Sequence, residues 1–199
     1  MERSIDREAF QKRLDRVEKT VDRIASIISG LRLYSKDGDG ESREAFALDK
    51  ILGDCLSLCS ERCRARGITI LNQADENLLV LGVPTLMAHV IINLINNACD
   101  ATEPLATKWI EFSCDRDENF VRFMVRDSGT GIPDVIAARM MTPFFTTKSV
   151  GHGAGLGLSV AKGIVEDMGG ELYYDLVGGH TAFVVRLPVC ESQEVRDAG

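Results

Sequence analysis

Asp127-Ser128-Gly129-Thr130-Gly131-Ile132-Pro133 opens, and Gly151-His152-Gly153-Ala154-Gly155-Leu156-Gly157-Leu158 closes, the stretch that decides how this chain is read. Between them lies Pro143-Phe144-Phe145-Thr146-Thr147-Lys148. Glycine lets a backbone approach a ligand closely and take φ > 0 at little steric cost. The second cluster runs into an apolar-periodic segment, Leu156 to Met168, which predicts a helix. A glycine-rich turn feeding a helix offers unpaired N–H groups and the positive dipole end to phosphate. One such cluster is a weak signal. Two of them, the first opened by an aspartate, predict a nucleotide pocket closed by a movable lid over Pro143 to Gly153.

Outward from that stretch, composition sets limits. The 199 residues can hold one large domain, or one domain with an appendage, and a 45% hydrophobic content supports a real core. A net charge of −7 argues against a general nucleic-acid binder. No apolar run approaches the roughly 20 residues of a membrane span, and Met1 to Asp6 lacks a signal-peptide core. The expectation is a soluble, cytosolic chain. Cys55, Cys59 and Cys63 fall at i, i+4 and i+8 of one helical stripe, with Ile51, Leu52 and Leu58 nearby. No second cysteine cluster completes a zinc pattern, so they read as core. Cys99, Cys114 and Cys190 stand alone and read the same way.

In chain order, Glu2 to Arg23 carries thirteen interleaved charges over an apolar seam of Phe10, Leu14, Val17, Val21, Ile24, Ile28 and Leu31. The 4-3 spacing is a heptad pattern, and so narrow a stripe must pair with another helix or a second copy of itself. We therefore expect a coiled-coil-like helix over 1–36, a polar linker over 37–46, a main domain over 47–190 and a tail over 191–199. Within the main domain, helices are expected over Leu48–Arg64 and Leu86–Thr102, the second with Thr85 as N-cap. Strands are expected over 67–71, Leu78–Val83, Trp109–Cys114 and Phe120–Arg126, and a last hairpin over Glu171–Leu176 and Thr181–Leu187. Without strict βαβ alternation, this is an α+β fold: helices on one face of a mixed, largely antiparallel sheet.

On the second helix, Asn93, Asn97 and Asp100 stand at i, i+4 and i+7, one polar face beside Val90, Ile91, Leu94 and Ala98. Asn96 and Asn97 are poor helix formers, and a merely solvated face would be better served by Lys or Glu. An amide oxygen suits Mg²⁺, which takes few protein ligands beside substrate phosphates. Asp127 can accept a hydrogen bond from an adenine amino group, although an aspartate before glycines is also an ordinary turn residue.

Taken in order, these segments resemble a known family. Asn93-Leu94-Ile95-Asn96-Asn97-Ala98-Cys99-Asp100-Ala101 resembles the N box of sensor histidine kinases, and Asp127 to Gly131 their first glycine box. Pro143 to Lys148 resembles the F box, and Gly153 to Leu158 the second glycine box. The resemblance spans about Leu48 to Pro188. It implies the Bergerat ATP-binding fold, a two-layer α/β sandwich shared with gyrase, heat-shock chaperone and mismatch-repair ATPases. It further implies ATP and Mg²⁺ as cofactors, with Asn97 holding the metal and Asn93, Asn97 and Lys148 as the catalytic set. Asp127 would read adenine, with Gly129, Gly131, Ile132 and Thr181 beside the base. Asp100, Phe145, Thr146, Thr147, Lys148, Gly153, Ala154, Gly155, Leu156, Gly157 and Leu158 would complete the nucleotide site. The Val17–Ser35 segment resembles the second helix of the dimerisation domain, implying a homodimer, a phosphoacceptor histidine helix and a response regulator as partners.

Departures shape the functional expectation. His89, His152 and His180 are the only histidines, and none stands in a phosphoacceptor motif. The chain should therefore donate phosphoryl to a histidine elsewhere and fail to phosphorylate itself. Met141 stands where the F box usually has its first phenylalanine, and Val83 where an aspartate is common. The hydrolysing relatives place a glutamate one turn before the metal asparagine; here Asn93 occupies that position, and an amide cannot take a proton from water. A nucleotide-regulated binding module, or an anti-sigma-type serine kinase of the same fold, stays open beside the sensor kinase.

Overall fold

The computed structural model describes residues 43–74, 78–148 and 155–190. The expected helix over 1–36, the tail 191–199 and positions 149–153 of the expected lid lie outside them.

The elements run β1 (Glu44–Ala47), α1 (Leu48–Ala65), β2 (Thr69–Ala74), β3 (Leu79–Gly82), α2 (Pro84–Thr102), β4 (Trp109–Arg116) and β5 (Phe120–Asp127). Then follow α3 (Asp134–Ala137), α4 (Gly157–Asp167), β6 (Glu171–Val177) and β7 (His180–Pro188). Five strands form one sheet in the order β2-β4-β5-β7-β6. Only β2 and β4 run parallel, and the other three pairings are antiparallel. Alternation decides which side is wet. Ile110, Phe112 and Cys114, then Val121, Phe123 and Val125, then Phe183, Val185 and Leu187 are all buried in one core. Glu111, Ser113, Arg122, Arg126 and Arg186 alternate with them and so take the opposite face.

The helices cover the apolar face. From α2, Met87, Val90, Ile91, Leu94, Ile95, Ala98 and Cys99 join that core, with Leu48, Leu52, Cys55 and Cys63 of α1 and Val160, Ala161, Ile164 and Val165 of α4. This is the expected two-layer sandwich. Truncating one large member such as Phe112, which is fully buried, would cost about 3–5 kcal/mol.

Three local readings need correction. The stretch assigned to a linker ends in a strand: β1 pairs antiparallel with β3, Glu44 against Gly82 through Ala47 against Leu79. Its four residues, Glu44-Ala45-Phe46-Ala47, are too few and do not alternate, so they give no strand pattern of their own. Thr85 is not the N-cap of α2; the helix starts at Pro84, with Val83 in the capping position. Proline is pre-set for a first helical position and lacks only an N–H that would go unpaired there. The Val83 carbonyl then accepts from the Met87 N–H at 3.0 Å. Cys99 does not stand alone either: its Sγ lies 3.5 Å from that of Cys63 across the α1–α2 seam. None of the six cysteines is in a disulfide.

The α4 helix ends as its sequence suggests. Gly169 takes φ 77°, and the N–H groups of Gly169 and Gly170 donate to the carbonyls of Glu166 and Val165, each at 2.9 Å. That pair of bonds is the signature of a helix stopped by a left-handed glycine.

Candidate nucleotide site

The site is built from the end of β5, the polar face of α2 and the start of α4. Asp127 ends β5 with its side chain buried, and its Oδ1 accepts the Gly129 N–H at 2.7 Å. Burial pushes its carboxyl up from the ordinary 3.8 to about 6; the Gly129 N–H and the nearby His180 pull it down, but less strongly. A Cβ on Gly129 would sit 2.7 Å from Asp127 Oδ1 and 3.1 Å from Thr181 Oγ1, so only glycine allows this turn to fold onto the carboxylate.

The loop after Asp127 is tied down by the hairpin beyond it. The Thr181 N–H donates to the Gly129 carbonyl at 3.0 Å, and the Gly131 N–H donates to Thr181 Oγ1 at 3.2 Å. The Ile132 N–H donates to the Tyr174 hydroxyl at 3.0 Å. His180 Nδ1 lies 3.3 Å from the Gly129 carbonyl, while the imidazole packs edge-on against Trp109. A cleft of about 540 Å³ adjoins this loop, lined by Thr130 to Asp134 and Tyr174 to Leu176. It includes neither Asp127 nor the asparagines.

The helix α2 carries Asn93, Asn97 and Asp100 half-buried on one face. Asn93 Nδ2 is buried without a hydrogen-bond partner, one of two such atoms among the described residues. A buried donor without an acceptor costs about 1–3 kcal/mol and calls for an explanation. The start of α4 abuts it: a Cβ on Gly157 would lie 2.9 Å from Asn93 Oδ1. That helix has Leu156 in the capping position with no side-chain cap bond. An uncapped N-terminus beside an orphaned amide donor suits an anion with several oxygens.

The segment after α3 closes on the same place. A Cβ on Gly155 would come within 2.6 to 2.8 Å of backbone atoms of Phe144 and Phe145, and Gly155 takes φ 66°. Phe145 is half-buried under the Arg139 guanidinium, 4.7 Å from its ring centre, whereas Phe144 is exposed. Met141 packs against the core, so this end of the segment is anchored despite the missing phenylalanine. Lys148 donates to Asp100 Oδ2 at 2.5 Å, and the Lys148 N–H to Thr146 Oγ1 at 3.1 Å. Burial raises the Asp100 carboxyl, but Lys148 and Arg66 together hold it below its usual range.

The structure thus brings together Asn93 with Gly157, Asp100 with Lys148, Gly155 with the two phenylalanines, and Asp127 with Gly129, Gly131 and Thr181. Thr147, Leu156 and Leu158 line the same segments. Gly153 and Ala154 lie outside the described residues. Sequence reasoning missed Arg62, Arg66, Trp109 and Tyr174. Of these only the Arg62–Arg66 pair had a signal, two cations one helical turn apart before a terminating Gly67.

The residues fit a nucleotide: a glycine turn folded on a buried carboxylate at one end, an orphaned amide donor and a lysine at the other. Comparison with known proteins agrees. Residues 82–191 match the model of the family described as histidine kinase-, DNA gyrase B-, and HSP90-like ATPases. This chain belongs to that family. Nucleotide binding is its common property, and the fold is that of the histidine kinase catalytic domain. The chain is 33% identical to the two-component sensor PprA of Pseudomonas aeruginosa, over 96% of this chain but only 21% of that protein. The nucleotide-free catalytic domain of the histidine kinase ThkA superposes with a TM-score of 0.66 at 29% identity, covering 74% of this chain and 97% of that one. A second ThkA structure, in complex with the response regulator TrrA, gives 0.72 at 25% identity over 96% of this chain and 53% of that one. PprA is named a two-component sensor and ThkA a histidine kinase, and the chain spans about a fifth of the length of PprA. Among the described residues no helix is long and apolar enough to cross a membrane.

Proposed function

We propose that this chain is the kinase module of a two-component sensor, binding Mg-ATP and giving its γ-phosphoryl group to a histidine other than the three it carries. One observation carries the reading: the buried, unpartnered Asn93 amide facing the uncapped start of α4 at Gly157. In this role Asn97 is the metal ligand, one turn from Asn93 on the same face. Asp127 accepts from the adenine amino group, Gly129, Gly131, Ile132 and Thr181 flank the base, and Lys148 with the Gly155–Leu158 turn attends the phosphates. Bound there, magnesium would neutralise phosphate charge.

The chain's own residues explain why transfer, rather than hydrolysis, is favoured. The side chain best placed to activate water would be Asn93, which has no basic function. His180 is engaged with Gly129 and Trp109 at the base end, away from the phosphates. Catalysis then rests on positioning and charge stabilisation, with the acceptor supplied by a dimerisation helix. A homodimer through the heptad seam and a response regulator as final acceptor complete the proposal; ThkA, solved with TrrA, supports the latter.

The test is transfer in trans. Incubated with γ-labelled ATP, the chain alone should stay unlabelled, while an added phosphoacceptor helix bundle from a related kinase gains acid-labile label. Stoichiometric label on His89, His152 or His180, or release of phosphate with no labelled bundle, would refute it.

A further inference from the structure

Arg66 belongs to none of the motifs that announce this site, yet it ends inside it. The helix α1 stops where Gly67 takes φ 69°. The Gly67 N–H donates to the Arg64 carbonyl at 3.0 Å, and the Ile68 N–H to the Cys63 carbonyl at 2.9 Å. This glycine stop fixes Arg66 at the helix end. Two side-chain rungs then join α1 to α2. Arg62 Nη1 donates to Asn96 Oδ1, and Arg66 Nη1 to Asp100 Oδ1, both at 3.1 Å. Between the rungs the Cys63 and Cys99 thiols touch.

Asp100 therefore has both oxygens engaged, one by Arg66 and the other by Lys148. The three side chains keep 27 to 35% of their surface exposed, so the cluster is neither dry nor freely solvated. Each carboxylate oxygen is already paired with a cation. Two cations against one carboxylate leave one net positive charge, on the same helix face as Asn97.

We propose that Asp100, braced by Arg66, is the positioning residue for Lys148, aiming its ammonium at the γ-phosphate of ATP. This rests on the nucleotide reading above and adds a task for two residues that do not touch the ligand. A lysine is a point charge on a flexible four-carbon stem with three donors. One donor spent on Asp100 fixes the stem and leaves two for phosphate oxygens. Arg66 is needed for two reasons. It stops the carboxylate from swinging with the lysine, and it cancels a negative charge that would repel ATP.

The test is isothermal titration of the full chain with Mg-ATP and Mg-ADP. Asp100→Asn should weaken ATP about tenfold and leave ADP within about twofold, because ADP lacks the group Lys148 attends. Lys148→Met should lose the same preference, and the double variant should be no worse than Lys148→Met alone. Arg66→Gln should fall between wild type and Asp100→Asn, and Asp100→Glu should recover part of the preference. Retained ADP binding shows that each variant is folded. Equal loss of ATP and ADP, additive losses in the double variant, or tighter ATP binding by Asp100→Asn would overturn the proposal while leaving the nucleotide reading intact. A wild type that binds neither nucleotide would overturn both.

Discussion

The two ends of the site are built from different materials. At the base end, backbone N–H groups of Gly129, Gly131 and Ile132 are bonded to side chains of Asp127, Thr181 and Tyr174, all on neighbouring strands of one sheet. Each of these loop N–H groups is thereby anchored on a strand of the sheet. At the phosphate end, side chains from α1, α2 and the segment after α3 meet through Arg66, Asp100 and Lys148. In the proposed function, the contrast follows what each end must recognise. The base is the same in every adenine nucleotide, so a fixed template suffices. The number of phosphates and the metal vary, so the other end relies on charges on flexible stems. The cost also differs: the base end holds a buried carboxylate with no cation bonded to it, whereas the phosphate end is charge-paired.

This contrast can be broken in order of expected effect. The largest effect belongs to Asp127→Asn, which turns the acceptor into an amide. Titration should show ATP and ADP weakened alike, by about ten- to a hundredfold, since a charged acceptor contributes about 1.5–3 kcal/mol. A loss confined to ATP would mean that Asp127 serves the phosphate end.

The same substitution should stabilise the free protein. Asp127 titrates near 6 when folded, above its unfolded 3.8. The stability tied to its protonated form is fully present below about pH 4 and is lost as pH rises through about 6. At pH 7.5 an uncharged side chain of the same shape should therefore gain about 1–2 kcal/mol, raising Tm by several degrees. The gain should vanish near pH 4. A Tm that falls at pH 7.5 would show that the carboxylate is well compensated in the free protein. Smaller still is Tyr174→Phe, which strands the Ile132 N–H at about 1 kcal/mol and should weaken both nucleotides a few-fold. If it alters the ATP-to-ADP ratio, the division into two ends is wrong.

How much was legible follows the same division. The first glycine cluster, Gly155 and Gly157, the Asn93–Asn97–Asp100 face and the strand alternation of β4, β5 and β7 are local patterns, and the described residues place each of them where its own letters point. A glycine that must turn tightly, or an amide in mid-helix, leaves its mark in the sequence at its own position. Asn96 shows the limit: its oddness was visible, but its partner, Arg62, lies 34 positions away. Tyr174 and Trp109 reach the site only through tertiary packing, and as isolated letters they carry no signal; Arg66 had one only in its spacing from Arg62 and Gly67. The β1 strand failed for a related reason, since four residues become a strand only when β3 is beside them.

The central claim is that the amide row on α2 is the metal-bearing half of a nucleotide site, and Asn97 tests it most directly. ATP should be titrated into wild type and Asn97→Ala, each with Mg²⁺ and with a chelator. The account predicts that wild type binds ATP more tightly with Mg²⁺, and that Asn97→Ala loses this gain while matching wild type in chelator. An Asn97→Ala variant with wild-type affinity and undiminished Mg²⁺ dependence would contradict it.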